Sequence, residues 1–222
     1  MAILTQPHWE QVSPLLQEVI VQVGHQPFAK RFYLAGGTAL ALQLGHRVSV
    51  DLDFFSVNDE LLDESRREIV TALRPYFSFQ IVHDVVGSLL LDVQGTAVGF
   101  FGYGYPLLAE TTTVEGVALA GLLDIGLMKL DAIASRGVRK DFYDLYFIAQ
   151  HLPLTELLER GQEKYPHTRD FGMMVLDSLV DFSVAEQQAA IETSPPVSWE
   201  EIKIFYTEAA QAIGRNWFED ES

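Results

Sequence analysis

The chain has 222 residues, 48% of them hydrophobic and 11% aromatic, enough apolar material for one substantial core or two modest ones. It contains no cysteine, which excludes a disulfide framework and a thiolate metal site. Lys and Arg number 15 against 31 Asp and Glu, a formal net charge of −16, which argues against a generally basic nucleic-acid-binding surface and confines phosphate contacts to a local site.

The opening residues MAILTQPHWEQ lack the basic start and apolar run of a signal peptide. The apolar stretch from Val114 to Met128 is interrupted by Glu115, Gly116 and Asp124 and is too short for a membrane span. A soluble cytoplasmic protein is expected.

From Trp9 to Val23 the apolar positions Val12, Leu15, Leu16, Val19, Ile20 and Val23 recur at three- and four-residue spacing, which predicts one amphipathic helix. Phe32 to Leu34 reads as a short strand. Gly36-Gly37-Thr38 then turns the chain into a helix over Ala39 to Leu44, ended by Gly45. Val48 to Phe55 reads as a second strand, and Glu60 to Leu73 as a helix stopped before Pro75.

Phe77 to His83, Ser88 to Val93 and Ala97 to Tyr103, separated by Gly87 and Gly95, predict a meander of antiparallel strands, with one more strand at Val114 to Ala118. Beyond Leu122 the pattern is helical: Leu123 to Arg136, Lys140 to His151, Leu154 to Lys164, Phe171 to Asp181 and Trp199 to Arg215, with Thr193 to Pro196 a loop and the Asp-Glu tail frayed. An N-terminal α/β module over 1–121 followed by a helical region over 122–222 is therefore expected, an α+β fold with a mixed sheet and flanking helices.

Alternating residues of a strand point to one face, so Asp51 and Asp53 project together while Leu52 and Phe54 project into the core. Two carboxylates so placed repel. A divalent cation between them relieves that cost, and Mg²⁺ (or Mn²⁺) ligated by one or two carboxylates, waters and triphosphate oxygens suits the pair. Gly36 and Gly37 permit a phosphate to approach the backbone at a helix N-terminus, where Thr38 is placed to cap the helix and to donate to a phosphate oxygen. Ser49 shares the strand face of the two acids, and Arg47 is within reach of a phosphate. Each part alone has an ordinary reading: a common turn, a solvated pair of acids.

Together, the strand, Gly-Gly turn, short helix and Asp-x-Asp resemble the signature of the polymerase-β-like nucleotidyltransferases. The run LAGGTALALQLGHRVSVDLDFFS resembles the corresponding segment of the AbiEii-type nucleotidyltransferase toxins, the enzyme halves of bacterial type IV toxin–antitoxin pairs. In MKLDAIASRGVRKDFYDLYFIAQ, the positions Lys129, Ile133, Arg136 and Lys140 would align on a continuous helix, but Gly137 is expected to cap one helix at Arg136 before a second begins near Lys140. This segment also resembles the family's later motifs. The resemblance, which covers roughly residues 30 to 150, implies that Lys129, Lys140, Asp141 and Asp144 contact the triphosphate and complete the active site. Arg136 joins them as part of the local basic cluster. The structural readings are a helix N-terminal acid for Asp141 and an i,i+4 partner of Lys140 for Asp144.

One departure stands out: many enzymes of the superfamily carry a third carboxylate on a following strand, whereas TAVGFFGYG contains no acid. Asp92 on the preceding strand is a candidate substitute, failing which Asp141 or Asp144 would share the general-base role. His46 lies beside Arg47, but the histidines have no metal-ligand spacing, and Phe100, Phe101, Tyr103 and Tyr105 read as core or cross-strand rings. The resemblance implies transfer of a nucleoside monophosphate from an NTP to an acceptor hydroxyl, on a tRNA 3′ end or a protein side chain, by a toxin with a cognate antitoxin. A non-catalytic NTP-binding or protein-interaction module retaining the fold is the alternative.

Overall fold

The computed structural model describes residues 2–219, so the expected fraying of residues 220–222 lies outside it. The chain divides into two compact units, Met1–Gly121 and Leu122–Ser222.

In the first unit β1 (Ala2–Ile3) and a 3-10 turn at Trp9–Gln11 precede α1 (Pro14–Gly24). The helix expected from Trp9 starts five residues later because Pro14 is a first-turn residue: its missing N–H costs nothing there, and Ser13 caps the end by accepting from the Leu16 N–H at 3.3 Å. Leu16, Val19, Ile20 and Val23 form its buried face. Then follow β2 (Tyr33–Ala35), α2 (Gly36–Leu44), β3 (Leu52–Ser56), α3 (Asp63–Leu73), β4 (Phe79–Val85), β5 (Ser88–Val93), β6 (Thr96–Gly102), β7 (Thr112–Val114) and β8 (Val117–Leu119).

These strands make one mixed sheet in the order β1-β7-β8-β2-β3-β6-β5-β4. The β4-β5-β6 meander is antiparallel, as the sequence predicts, and β6 returns parallel to β3. The single strand expected at Val114 to Ala118 is instead a hairpin. Glu115 and Gly116 both take positive φ, 46° and 81°, and form a two-residue turn whose twist suits paired strands. One sheet face is the core: Leu34, Leu52, Phe54, Leu89, Leu91, Val98 and Phe100 are all 0% exposed, and the Phe54 and Phe100 rings stack at 4.9 Å. The other face carries Asp53, Phe55, Leu90 and Phe101, all half-buried.

The second unit is helical: α4 (Leu122–Arg136), α5 (Arg139–Ala149), α6 (Leu154–Lys164), α7 (Phe171–Ser178) and α8 (Trp199–Glu219). α4 packs on α5, α6 and α7, while α8 packs on α5 and α7. The Tyr206 hydroxyl donates to the Phe142 carbonyl at 2.7 Å, and the buried Lys164 ammonium pairs with Asp124 at 2.8 Å. Arg139 lies over the Trp199 ring at 4.7 Å and donates to the Ala185 carbonyl, a buried cation that periodicity does not reveal. No helix among the described residues is long and apolar enough to cross a membrane.

Candidate active site

The first cluster is assembled where β2 runs into α2 and the chain returns through β3. Gly36 and Gly37 are not a turn ahead of the helix but its first two residues, and Ala35 is the N-cap with no side-chain hydrogen bond. Acceptors for the first-turn N–H groups must therefore come from outside the helix. Thr38 is correspondingly not the cap. Its hydroxyl donates to the Asp51 carbonyl and lies 2.8 Å from Ser49 Oγ. A hydroxyl has one proton, so Ser49 is the donor in the second contact. Thr38 thus ties α2 to the segment that delivers the two acids.

Asp51 precedes β3 rather than lying within it, and Asp53 is its second residue. Both are half-buried. Asp53 pairs with Ala35 across the ladder, which places its carboxylate against the start of α2: a Cβ added to Gly36 would sit 3.0 Å from Asp53 Oδ2. A Cβ on Gly37 would collide with the Arg47 guanidinium and come within 3.2 Å of Ser49 Oγ. Arg47 is buried, and its Nη1 donates to the Val48 carbonyl at 2.9 Å. The structure therefore gathers Gly36, Gly37, Thr38, Arg47, Ser49, Asp51 and Asp53 in one place.

Gly36 has φ +66°, so Gly36→Ala carries a backbone cost of about 1–2 kcal/mol and also displaces Asp53. Gly104→Ala is the control, since φ there is +72° and an added Cβ meets nothing within 4 Å. Both variants should lose similar stability in urea melts, whereas only Gly36→Ala should also weaken NTP binding. Equal NTP affinity in the two would show that the close approach to Asp53 does not matter.

The ladder sets a glycine, not an acid, beside Asp53. Gly99 is the β6 residue paired with Asp53, and a Cβ built there would lie 3.5 Å from Asp53 Oδ1 but 2.5 Å from the Phe101 ring. Phe101 fills the space a side chain at 99 would need. Sequence reasoning passed over Gly99, although an isolated glycine inside a strand marks a close approach. Asp92 shares the Asp53 face by register, two strands away on the order of 12 Å, and its carboxylate accepts from the Gly95 N–H at 2.6 Å in the β5–β6 turn. Phe100 is core, while Phe101 and Tyr103 are half-buried and both contact the Phe55 ring at 5.2 Å as cross-strand neighbours. His46 is buried.

The half-buried Asp53 carboxylate beside a side-chain-free cradle, with half-buried Asp51 two residues before it, suits a cation that brings its own phosphate and water ligands. Among the described residues no three or more His, Asp or Glu side chains form a closed metal cage. The donor set thus matches Mg²⁺ chelated by a substrate better than a structural metal.

The second cluster lies within the helical unit. Gly137, at φ +56°, separates α4 from α5, as the sequence predicts. Across that corner Lys129 Nζ reaches Asp141 Oδ1 at 2.8 Å and Asp144 Oδ2 at 2.6 Å, and Arg136 bonds both Asp141 oxygens at 2.9 and 3.0 Å. Asp141 and Asp144 are 0% exposed. Burial pushes the Lys129 pKa down, but the attraction of Asp144 and then Asp141 outweighs it and leaves the group raised above its usual 10.5. Lys129 is therefore a charged internal pillar. Arg136 and Lys140 are exposed.

A sheet with this order, a glycine-opened helix and two acids at the start of the adjoining strand point to the nucleotidyltransferase fold. Solved structures agree. A Helicobacter pylori protein provisionally assigned as a nucleotidyltransferase superposes with a TM-score of 0.53 at 18% identity, over 97% of this chain and 96% of that one. JHP933 from Helicobacter pylori superposes with a TM-score of 0.50 at 19% identity, over 95% and 96%. In sequence, the uncharacterised Aquifex aeolicus protein aq_aa25 is 38% identical over 195 residues, 85% of this chain and 89% of that one. The model of the AbiEii nucleotidyl transferase toxins of type IV toxin–antitoxin systems matches residues 19–101, from the middle of α1 into β6. The chain belongs to the AbiEii nucleotidyltransferase family.

Proposed function

We propose that this protein transfers a nucleoside monophosphate from an NTP to an acceptor hydroxyl at the cluster of Gly36, Gly37, Thr38, Arg47, Ser49, Asp51 and Asp53. The observation that carries this reading is the approach of the Asp53 carboxylate to the side-chain-free start of α2, which puts an acid and a phosphate cradle in contact.

The N terminus of α2 receives the triphosphate, because the helix dipole and the first-turn N–H groups favour an anion there. Asp51 and Asp53 would hold Mg²⁺ or Mn²⁺, which supplies charge neutralisation at the phosphates and a more acidic acceptor hydroxyl. Arg47, buried against Gly37, adds positive charge behind the cradle. Thr38 and Ser49 keep the Asp51 segment in register with α2. The acceptor oxygen bonds to the α-phosphorus, the bond from that phosphorus to the β-phosphate oxygen breaks, pyrophosphate leaves, and the hydroxyl proton passes through Asp53 to water. With no acid on β6, and with Asp141 and Asp144 buried in ion pairs with Lys129 rather than free to share the role, we assign that transfer to Asp53.

In the helical unit we assign Lys129 to holding Asp141 and Asp144, and the exposed Arg136 and Lys140 to phosphate contact. A toxin role, with a cognate antitoxin as partner, accompanies this reading on the strength of the family.

The test is incubation of the protein with each α-labelled NTP and Mg²⁺, in the presence of total tRNA or of cell protein. Label transfer with stoichiometric pyrophosphate, abolished by EDTA and restored by excess Mg²⁺, is the expected result. Tight NTP binding with no transfer to either acceptor pool would instead identify a non-catalytic module.

A further inference from the structure

The first unit contains a cavity of about 790 Å³ that none of the roles above uses. Its position is set by the sheet. Ala35 pairs with Asp53 and Tyr33 with Phe55, so Tyr33, Phe55 and Asp53 share one face. Tyr33 lines the cavity, and its ladder position is about 7 Å along the strand from that of Asp53, at roughly 3.3 Å per residue.

The lining has a definite chemistry. Tyr33, Leu62 and Leu107 supply apolar wall, and the remaining side chains include four carboxylates against two cations. Arg31 is already neutralised, held by Asp59 at 3.1 Å and Glu68 at 2.5 Å. Glu60 and Glu64 have no ion-pair partner among the described residues, and Lys30 is the remaining cation of the lining. Carboxylates above an aromatic and aliphatic wall suit a lysine or arginine side chain, whose stem packs on the wall while its head reaches the acids. They do not suit a polyanion, since RNA affinity depends on neutralised phosphates and this chain carries −16.

We propose that the cavity binds the acceptor as a basic protein segment, anchoring a Lys or Arg that lies two or three residues from the Ser, Thr or Tyr hydroxyl presented at Asp53. That spacing follows from the distance an extended chain covers per residue. The inference rests on the nucleotidyltransferase reading of the Gly36–Asp53 cluster. The product is a phosphodiester between the side-chain oxygen and the nucleoside monophosphate, with pyrophosphate released.

The full chain is given α-labelled NTP, Mg²⁺ and degenerate peptides with a central Ser, Thr or Tyr and basic, neutral or acidic flanks, with total tRNA in parallel. Basic-flanked peptides should be labelled with a KM about tenfold below that of neutral ones. Glu60→Gln/Glu64→Gln should erase that preference with NTP affinity as in the wild type, and Glu60→Lys/Glu64→Lys should shift it to acidic flanks. Both positions are exposed, so folding is not at stake. Label entering tRNA, or peptides irrespective of flank, overturns the proposal and leaves nucleotidyl transfer standing. Failure of the wild type to bind any NTP removes both.

Discussion

Asp53→Asn should reduce nucleotide transfer by at least about a thousandfold while leaving the protein folded. Loss of a metal-ligating carboxylate forfeits several kcal/mol of transition-state stabilisation, and each 1.4 kcal/mol is about tenfold in rate. Asn is nearly isosteric, so it keeps the shape against Gly36 and removes the charge. Asp53 is half-buried, which keeps the stability change small. Label transfer and urea melts on the same preparation separate the two effects. A variant that retains a tenth of wild-type transfer would show that Asp53 neither holds the metal nor takes the proton. Asp51→Asn should be similarly damaging, because the proposed two-carboxylate grip on the cation has no third acid among the described residues to compensate.

The second large effect concerns stability. Lys129→Met should destabilise the protein by about 3–5 kcal/mol, the usual consequence of stripping one partner from a buried ion pair. Asp141 would keep Arg136, but Asp144 would lose the cation 2.6 Å from its carboxylate while remaining fully buried. Adding Asp144→Asn to Lys129→Met should recover part of the loss, since a neutral amide is cheaper to bury than a carboxylate stripped of its cation. The pH dependence has a definite sign. The Lys129 pKa is raised in the folded state, so its contribution is complete below the ordinary lysine value of 10.5 and is lost as pH rises through the higher folded value. The stability gap between wild type and Lys129→Met should therefore be constant from neutral pH to about 10 and narrow above it. A gap that narrows on acidification toward neutrality would contradict the assignment of Lys129 as a buried, permanently charged pillar.

Elements with a strong local signal were legible. The helices at Leu154–Lys164 and Leu122–Arg136 and the β4-β5-β6 meander follow from periodicity and from Gly87 and Gly95, because burying one face imposes a repeat on the chain. Boundaries set by backbone detail were less so. The helix expected from Trp9 begins only at Pro14, and the Glu115–Gly116 turn splits one expected strand into two. The Gly36 to Asp53 cluster was legible because its parts lie close in sequence, although Asp51 falls just ahead of β3 and the expected strand alternation does not reach it. Its wiring was not: Thr38 looks like a helix cap in sequence, yet its hydroxyl is spent on Asp51.

Local composition and periodicity by themselves determined the mixed α+β character and the helical second half, while the runs from Leu34 to Ser56 and from Met128 to Gln150 carried the resemblance to the family. Only the tertiary structure decided which charges are buried and which are presented. Lys129, Arg136 and Lys140 look alike in sequence, but only Lys129 is buried, locked between two aspartates, while the other two are exposed. The same holds for Gly99, whose role against Asp53 exists only because β6 pairs with β3 across more than forty residues of intervening chain. Spacing along the chain carries alternation and turn chemistry, whereas desolvation and close approach depend on long-range neighbours.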